Sequence, residues 1–131
     1  SLAIIQELLY PPHIHVMITG GSLQRETAAF VGPYSQTLFD QVHIQKGFFG
    51  AHGIVLDPGL TDVSPEIAAA KRPILARCQQ AIAVVDASKW GRVGIAAFAA
   101  VNELDMIITD DSAPTDEVWA VQDAGADVRV V

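Results

Sequence analysis

The strongest structural signal in the chain is AIAVVDASK, the sequence of residues 81–89. Ala81 to Asp86 predicts a strand buried in a parallel sheet, because such strands are continuously apolar. The run is followed by a hydroxyl at Ser88 and an ammonium at Lys89. Ligands of open α/β sheets bind at the carboxyl ends of the strands. The loop Asp86-Ala87-Ser88-Lys89 is therefore a candidate binding loop.

Helical and extended segments alternate along the rest of the sequence. Residues 1–9 predict a helix that ends at Tyr10-Pro11-Pro12, since proline lacks an N–H and restricts the residue before it. Ser64-Pro65-Glu66 begins another helix with a serine cap and a proline at the first helical position, and we expect Pro73 to kink or split it. The other predicted elements are a strand from His15 to Thr19, a helix that opens at Gly32-Pro33 with Tyr34, Leu38 and Val42 in its stripe, a strand from Gly47 to Ala51, a strand from Met106 to Thr109, a helix from Pro114 to Ala124 with Gly125 just past its end, and a strand from Val128 to Val131.

This alternation predicts an α/β fold with a mostly parallel sheet flanked by helices. With 131 residues the chain is long enough for one domain with a buried hydrophobic core. A hydrophobic content of 50% with only 7% aromatic residues favours a core of Ala, Ile, Val and Leu. The first helix begins with no capping residue except Ser1, so we expect residues 1–131 to belong to a longer protein.

The charge and composition argue against several classes of protein. The formal net charge of −7 argues against nucleic-acid binding by this segment, because surfaces that bind DNA are basic. No apolar run is long enough to span a membrane, and residues 1–9 carry no secretory signal. The single cysteine, Cys78, cannot form an internal disulfide and suits a reducing compartment such as the cytoplasm. We expect it to be buried on the helix that Ser64 begins.

Two more loops follow predicted strands and are candidates for binding an anion. Gly20-Gly21-Ser22 follows the strand predicted at His15 to Thr19, and paired glycines let N–H groups reach an anion with no Cβ in the way. Gly50-Ala51-His52-Gly53 follows the next strand, and its histidine can donate to a ligand hydroxyl. In the loop after residue 85, Lys89 supplies a point charge for a phosphate and Asp86 can hold a sugar hydroxyl. Each loop also has a simpler explanation: an ordinary turn, or a solvated Asp–Lys pair worth under about 1 kcal/mol.

Other polar residues give weaker support for metal or catalytic chemistry. His13 and His15 would point the same way on a strand, but no third ligand has a typical spacing, so we predict neither a metal nor a cofactor. No serine lies in a Gly-x-Ser-x-Gly turn. The pair Asp110-Asp111 is open to two interpretations: general acid–base chemistry, or capping of the helix that follows.

Taken together, these motifs resemble the effector-sensing domain of the DeoR family of bacterial transcription regulators. The resemblance runs from about Leu2 to Val131 with the family's order and spacing. The residues that carry it are Thr19-Gly20-Gly21-Ser22-Leu23, Phe30-Val31-Gly32-Pro33, Lys46-Gly47-Phe48-Phe49-Gly50-Ala51-His52-Gly53-Ile54, Gly59-Leu60-Thr61, Glu66 with Lys71, Asp86-Ala87-Ser88-Lys89-Trp90-Gly91 and Ile107-Ile108-Thr109-Asp110-Asp111.

The resemblance implies a fold similar to ribose-5-phosphate isomerase, glucosamine-6-phosphate deaminase and the CoA-transferases. It implies a homo-oligomer, a dimer or tetramer, that senses a phosphorylated sugar or related metabolite and binds operator DNA through an N-terminal winged helix-turn-helix. Residues 1–131 would then be a partial sensor domain, without that DNA-binding domain, the first strand and an Asp-x-Gly-Ser-Thr phosphate loop.

The resemblance also assigns roles to individual residues. Lys89 would meet the phosphate, Asp86 would orient its loop, and Glu66 and Lys71 would lie on the helix that lines the pocket. The full set of effector-binding residues expected in this way is Gly20, Gly21, Ser22, Gly50, His52, Gly53, Glu66, Lys71, Asp86, Ser88 and Lys89.

One departure separates this chain from the related enzymes. The isomerases place the acids Asp-Gly-Ala-Asp-Glu after the strand that corresponds to residues 46–49, whereas this chain has Phe49-Gly50-Ala51-His52-Gly53. The carboxylates that would move a proton beside a sugar carbonyl are absent there. The sequence therefore predicts a sensor, and the resemblance implies that it belongs to a repressor of carbohydrate-metabolism genes. The alternatives are a sugar-phosphate isomerase or deaminase that uses Asp57, Glu66 or Asp110, and a dimerisation module with a vestigial pocket.

Overall fold

The computed structural model describes residues 1–32, 39 and 41–131, which form two compact units, Ser1–Val42 and His43–Val131. The helix predicted to open at Gly32-Pro33 falls mostly outside the described residues. Within them, the helices are α1 (Leu2–Leu8), α2 (Pro65–Leu75) and α3 (Thr115–Asp123), and the strands are β1 (Ser22–Gln24), β2 (Ala29–Val31), β3 (Ile44–Phe49), β4 (Gly53–Ile54), β5 (Leu60–Asp62), β6 (Cys78–Val84), β7 (Ala96–Ala99), β8 (Met106–Thr109) and β9 (Val128–Val130).

The first unit contains α1 and a short hairpin. Helix α1 confirms the helix predicted for residues 1–9. Strands β1 and β2 pair antiparallel, with Leu23 opposite Phe30. The strand predicted at His15 to Thr19 is wrong, since these residues join no strand in the described part of the chain. An apolar run becomes a strand only where a neighbour supplies the ladder of hydrogen bonds, and here the hairpin forms from the residues that follow.

The second unit is built on a parallel sheet with the strand order β3-β6-β8-β9. Phe49 pairs with Ala83, Ala83 with Ile107 and Ile107 with Val128, so these residues form one row across the sheet. All four are buried in one core, to which α2 and α3 also contribute buried residues. The predicted α/β fold with a mostly parallel sheet is confirmed.

The predicted strands of this sheet are confirmed with small shifts. Strand β8 has the predicted bounds, whereas β3 and β6 each begin three residues before the predicted start, at Ile44 and Cys78. The second and third residues of both strands are polar: Gln45-Lys46 in β3 and Gln79-Gln80 in β6. Because an apolar run was the signal for a buried strand, the polar ends of these strands went unrecognised.

A second, three-stranded sheet was not predicted. Strand β5 lies between β4 and β7, and both pairings are antiparallel. Strand β7 is Ala-Ala-Phe-Ala and β4 is Gly-Ile. Alanine and glycine are depleted in strands, so these segments carry little strand signal of their own.

Helix α2 begins as predicted and ends differently. The Ser64 side chain accepts a hydrogen bond from the Ile67 N–H at 3.2 Å, which confirms the serine cap. Pro73 does not split α2, because the helix continues to Leu75 and the proline lies in its last turn. The helix position expected for Cys78 is also wrong: this residue is the first of β6 and is half-buried.

Helix α3 confirms the helix predicted from Pro114 to Ala124. Gly125 follows it with φ of +98°, a left-handed conformation that glycine adopts at little cost after a helix end. Val118 and Val121 are its buried residues. No helix in the described ranges is long and apolar enough to cross a membrane.

Candidate functional site

The carboxyl ends of β3, β6 and β8 lie at one edge of the parallel sheet. Phe49 pairs with Ala83, and Val84 pairs with Ile108, so the segments that follow these strands leave the sheet side by side. Gly50 follows β3 directly, Asp86 follows β6 after one residue, and the third strand is followed by Asp110. We call this region the carboxyl edge. It contains two of the three loops predicted to bind an anion.

The loop after β6 is a single 3-10 turn, Ala87–Lys89, held by two carboxylates. Asp86 Oδ1 accepts a hydrogen bond from the Ser88 N–H at 2.8 Å, and Asp110 Oδ2 accepts one from the Ala87 N–H at 2.8 Å. The Lys89 N–H donates to the carbonyl of residue 86 at 3.0 Å, and the Trp90 N–H donates to the carbonyl of residue 87 at 3.4 Å. The N–H groups of residues 87–90 are therefore all used inside the protein, which leaves side chains to bind an anion.

Lys89 is the cation that this turn presents. Its ammonium is 4.0 Å from Asp86 Oδ2, and the two side chains are 32% and 58% exposed. A pair this exposed and this long is weak, so the charge of Lys89 remains available. Hydrogen bonds from the Ser88 side chain and backbone lower the pKa of Asp86, with a smaller contribution from Lys89. Asp86 thus caps the turn through its carboxylate. The orienting role that the resemblance implies for it stays a prediction.

A buried tryptophan anchors the far end of the same turn. Trp90 is 5% exposed, and its indole N–H donates to Thr109 Oγ1 at 2.9 Å. The next residue, Gly91, has φ of +71° and donates its N–H to the Ile54 carbonyl at 3.0 Å. These bonds attach the Lys89 turn to β8 on one side and to β4 on the other. The backbone position of Lys89 is therefore set by the core of the second unit.

The loop Gly50-Ala51-His52-Gly53 packs against the Lys89 loop. The His52 N–H donates to the Thr61 carbonyl at 2.9 Å. A Cβ on Gly53 would lie 2.1 Å from the Arg92 carbonyl oxygen, so only glycine allows this approach. The buried Thr61 hydroxyl donates to the Gly53 carbonyl at 3.2 Å and accepts from the Gly94 N–H at 2.7 Å. The two predicted loops thus form one packed structure at the carboxyl edge.

Lys71 reaches the same edge from α2, but its charge is already paired. Its ammonium lies 2.5 Å from Asp62 Oδ2, donates to the Gly50 carbonyl at 2.7 Å, and lies 4.6 Å from the centre of the Phe98 ring. An ammonium has three N–H donors, and at least two of them are used here. An effector phosphate would have to compete with Asp62 for this ammonium. The geometry suits a side chain that positions the Gly50 loop.

The remaining predicted residues lie elsewhere. Glu66 is exposed in the first turn of α2, where a carboxylate stabilises the helix N-terminus. Gly20, Gly21 and Ser22 belong to the first unit, where the two glycines precede β1 and Ser22 is its first residue, so they do not follow a strand. A Cβ on Gly21 would lie 2.5 Å from the Val31 carbonyl oxygen, so this glycine is needed for the hairpin itself.

Three polar residues of the edge were not expected to have these roles. Asp62 and Thr61 are buried, and they hold Lys71 and the Gly53 loop. For Asp110 the sequence leaves open a general acid or base and a helix cap. It instead accepts from the Ala87 N–H through Oδ2 and from the Ser112 N–H through Oδ1. The position of Asp110 directly after a strand was the only sequence signal for its contact with the loop after β6.

A cavity of about 580 Å³ lies elsewhere in the second unit. The two charged side chains that line it are already hydrogen-bonded inside the protein: the Arg72 guanidinium donates to the Ala97 carbonyl, and the Glu103 carboxylate accepts from the Ala100 N–H. No group of three or more His, Cys, Asp or Glu side chains that could hold a metal ion occurs among the described residues. The residues that line the cavity are Pro58, Arg72, Leu75, Ala76, Ala97, Phe98, Ala99, Ala100 and Glu103.

Comparison with known proteins places this arrangement in context. Residues 1–111 match the DeoR C terminal sensor domain. The chain is 31% identical over 113 residues to the HTH-type transcriptional regulator GlpR of Haloferax volcanii, an alignment that covers 86% of this chain and 44% of that protein. It is 27% identical over 131 residues to a putative aga operon transcriptional repressor of Escherichia coli O157:H7, covering 100% of this chain and 49% of the relative.

A third relative is the L-fucose operon activator of Haemophilus influenzae, 25% identical over 114 residues, with 87% of this chain and 46% of the activator covered. The chain therefore spans about half the length of the curated relatives it matches.

Proposed function

The chain belongs to the family of DeoR C-terminal sensor domains, and we propose that it binds a phosphorylated sugar or related metabolite and thereby controls operator binding by a helix-turn-helix domain of the full protein. In this proposal the protein is a cytoplasmic homo-oligomer, a dimer or tetramer, and it represses genes of carbohydrate metabolism. The effector is bound at the carboxyl edge.

The presentation of Lys89 is the observation that carries the proposal. Its ammonium stands on a turn whose N–H groups are all occupied, and its partner Asp86 is 4.0 Å away. The turn is attached to buried Trp90 and to β4, so the backbone that carries the lysine is held in place before a ligand arrives. A backbone that is already ordered loses little conformational entropy when the loop binds a phosphate. Lys89 supports a site for a phosphate group, and Ser88 adds a hydroxyl beside it.

The functions for which the relatives are named support a sugar-linked effector. One relative is named as a putative repressor of an aga operon and another as an activator of an L-fucose operon. Both are transcription regulators, as is GlpR. We extend to this chain the general role of sensing a metabolite related to sugar use.

A sensor is favoured over an isomerase or deaminase by the chemistry of the edge. The loop Gly50-Ala51-His52-Gly53 carries no carboxylate. Both carboxylate oxygens of Asp110 accept backbone hydrogen bonds, and the Asp62 carboxylate is paired with Lys71. A general acid or base needs a carboxyl group within reach of the substrate and free to exchange a proton. These acids instead hold the loops.

The experiment uses the full-length parent protein, its operator DNA and a panel of sugar phosphates, with inorganic phosphate and the unphosphorylated sugars as controls. We expect one phosphate ester to raise the melting temperature and to change operator affinity, and the corresponding free sugar to do neither. A coupled assay for aldose–ketose conversion separates the enzyme alternative. Turnover that disappears in Glu66→Gln would contradict the sensor proposal.

A further inference from the structure

The outer side of α3 carries a large aromatic side chain between two carboxylates. Asp116, Trp119 and Asp123 are spaced three and four residues apart, so they share one side of the helix. All three are exposed and line one open depression. The buried side of the helix is formed by Val118 and Val121. The tryptophan therefore takes no part in the core, and we call these three residues the α3 face.

The exposure of Trp119 distinguishes this face from scattered apolar surface residues. Its side chain is 65% exposed, whereas Trp90 is 5% exposed and hydrogen-bonded inside the second unit. Tryptophan is enriched at the centres of protein interfaces, because it buries a large area and loses little side-chain entropy. An exposed indole between two acids thus has the composition of an interface residue and its rim.

The charge of the face selects the kind of partner. Neither Asp116 nor Asp123 forms an ion pair with another described residue. An arginine from a partner could stack on the indole of Trp119 and also donate to a flanking carboxylate. A second copy of this chain that met the same face across a twofold axis would bring like charges together. The face therefore suits a basic partner and disfavours pairing with itself.

We propose that the α3 face docks the basic helix-turn-helix half of the full-length regulator. This inference rests on the proposed function, because it requires that the parent protein carry a DNA-binding half. The relatives are about twice as long as the matched region, and GlpR is described as an HTH-type regulator. A domain that binds DNA presents a basic surface, while the chain has a formal net charge of −7. Docking on this face holds the DNA-binding half against the sensor through contacts that salt weakens.

The test measures how far Trp119 is accessible to acrylamide, a neutral quencher, in the full-length protein. The signal of Trp119 is the difference between the wild type and Trp119→Phe. We expect protection at low salt and about a twofold or larger rise in the quenching constant in about 1 M sodium chloride, where the Debye length falls to about 3 Å. The double variant Asp116→Asn, Asp123→Asn should give the same rise at low salt. The double variant Glu7→Gln, Glu26→Gln loses the same charge from the first unit and should leave the signal unchanged.

Three outcomes would overturn the proposal. They are full accessibility of Trp119 at every salt concentration, protection that persists in the Asp116→Asn, Asp123→Asn protein, and protection that disappears on dilution, which would indicate a second copy as the occupant. The proposed effector site is tested separately by asking whether Trp119→Phe still shows a rise in melting temperature with a sugar phosphate. Full accessibility of Trp119 in the wild type, together with a melting-temperature rise in both proteins, would reject the docking at the α3 face and leave the proposed effector site standing.

Discussion

The ammonium of Lys71 lies 2.5 Å from Oδ2 of Asp62, and the two residues join α2 to the three-stranded sheet. The same ammonium donates to the Gly50 carbonyl at 2.7 Å, directly after β3. One side chain thus connects a helix and two strands where the Gly50 loop begins. We interpret Lys71 as a positioning residue for the Gly50 loop, whereas the family resemblance alone would have made it a pocket-lining residue.

This ion pair predicts a coupled effect on stability. The Asp62 side chain is 9% exposed and that of Lys71 is 23% exposed, so removing one partner leaves a largely buried charge unpaired. We expect Lys71→Met to lower the free energy of unfolding by about 1–3 kcal/mol. The double variant Asp62→Asn, Lys71→Met should lose less than the sum of the two single variants. Urea unfolding of all four proteins measures the coupling, and simple additivity would show that the pair contributes nothing.

The close packing of the two loops predicts a contrast between two glycines. A Cβ on Gly53 would lie 2.1 Å from the Arg92 carbonyl oxygen, whereas a Cβ on Gly50 would meet no atom within 4 Å. We expect Gly53→Ala to destabilise the protein by about 1–3 kcal/mol, since the backbone must move. Gly50→Ala should change stability by no more than about 0.5 kcal/mol. Thermal unfolding tests this, and equal effects of the two changes would contradict the packing described for the loops.

The cap of the Lys89 turn predicts an acidic titration. Hydrogen bonds from the Ser88 side chain and backbone lower the pKa of Asp86. A carboxyl group whose pKa is lowered by folding stabilises the fold above its unfolded pKa, about 3.9, and this contribution is lost as pH falls through the folded pKa. Ser88→Ala should raise the pKa of Asp86 toward its ordinary value, as followed by the carboxyl chemical shift. Ser112→Ala is the control. An unchanged titration midpoint of Asp86 in Ser88→Ala would argue against the hydrogen bond from the Ser88 hydroxyl to the Asp86 carboxylate.

Cys78 should be a slow thiol. Burial raises its pKa, and its thiol donates to the carbonyls of Ile74 at 3.1 Å and Leu75 at 3.3 Å. Because the thiolate is the reactive form, alkylation at about pH 8 should be slower in the folded protein than in urea. Stability linked to the neutral thiol is present below the unfolded pKa, about 8.5, and is lost as pH rises through the folded pKa. Mass spectrometry of Cys78 over a pH series checks this, and equal rates folded and unfolded would contradict it.

The sequence predicted best where one local cause decides the structure. Strand β8 is a continuous apolar run and was placed with its observed bounds, and the Ser64 cap of α2 follows from a residue that bonds three positions away. Cys78 was misplaced because the apolar pattern of α2 continues past Leu75 into β6 without a glycine between them. An apolar pattern says which residues are buried, and the change from helix to strand needs a further signal.

The candidate site was predictable in part for the same reason. The loops at Gly50 and Asp86 follow recognisable strands, so their place at the carboxyl edge followed from the topology. The pairing of the Lys71 ammonium could not be predicted in this way, since its contacts with Asp62 and Gly50 join residues 9 and 21 positions apart. Such pairings exist only after the helix and both sheets have packed. A lysine's availability for a ligand is therefore a property of the tertiary structure.

The most direct test of the central claim is the binding of the effector phosphate by Lys89. Calorimetry would measure the affinity of the full-length wild type and of Lys89→Met for the phosphate ester that stabilises the protein. Lys46→Met is the control for the loss of one exposed lysine. A hydrogen bond to a charged group contributes about 1.5–3 kcal/mol, so Lys89→Met should weaken binding by about 10- to 150-fold, and Lys46→Met should not. Unchanged affinity in Lys89→Met would contradict the account.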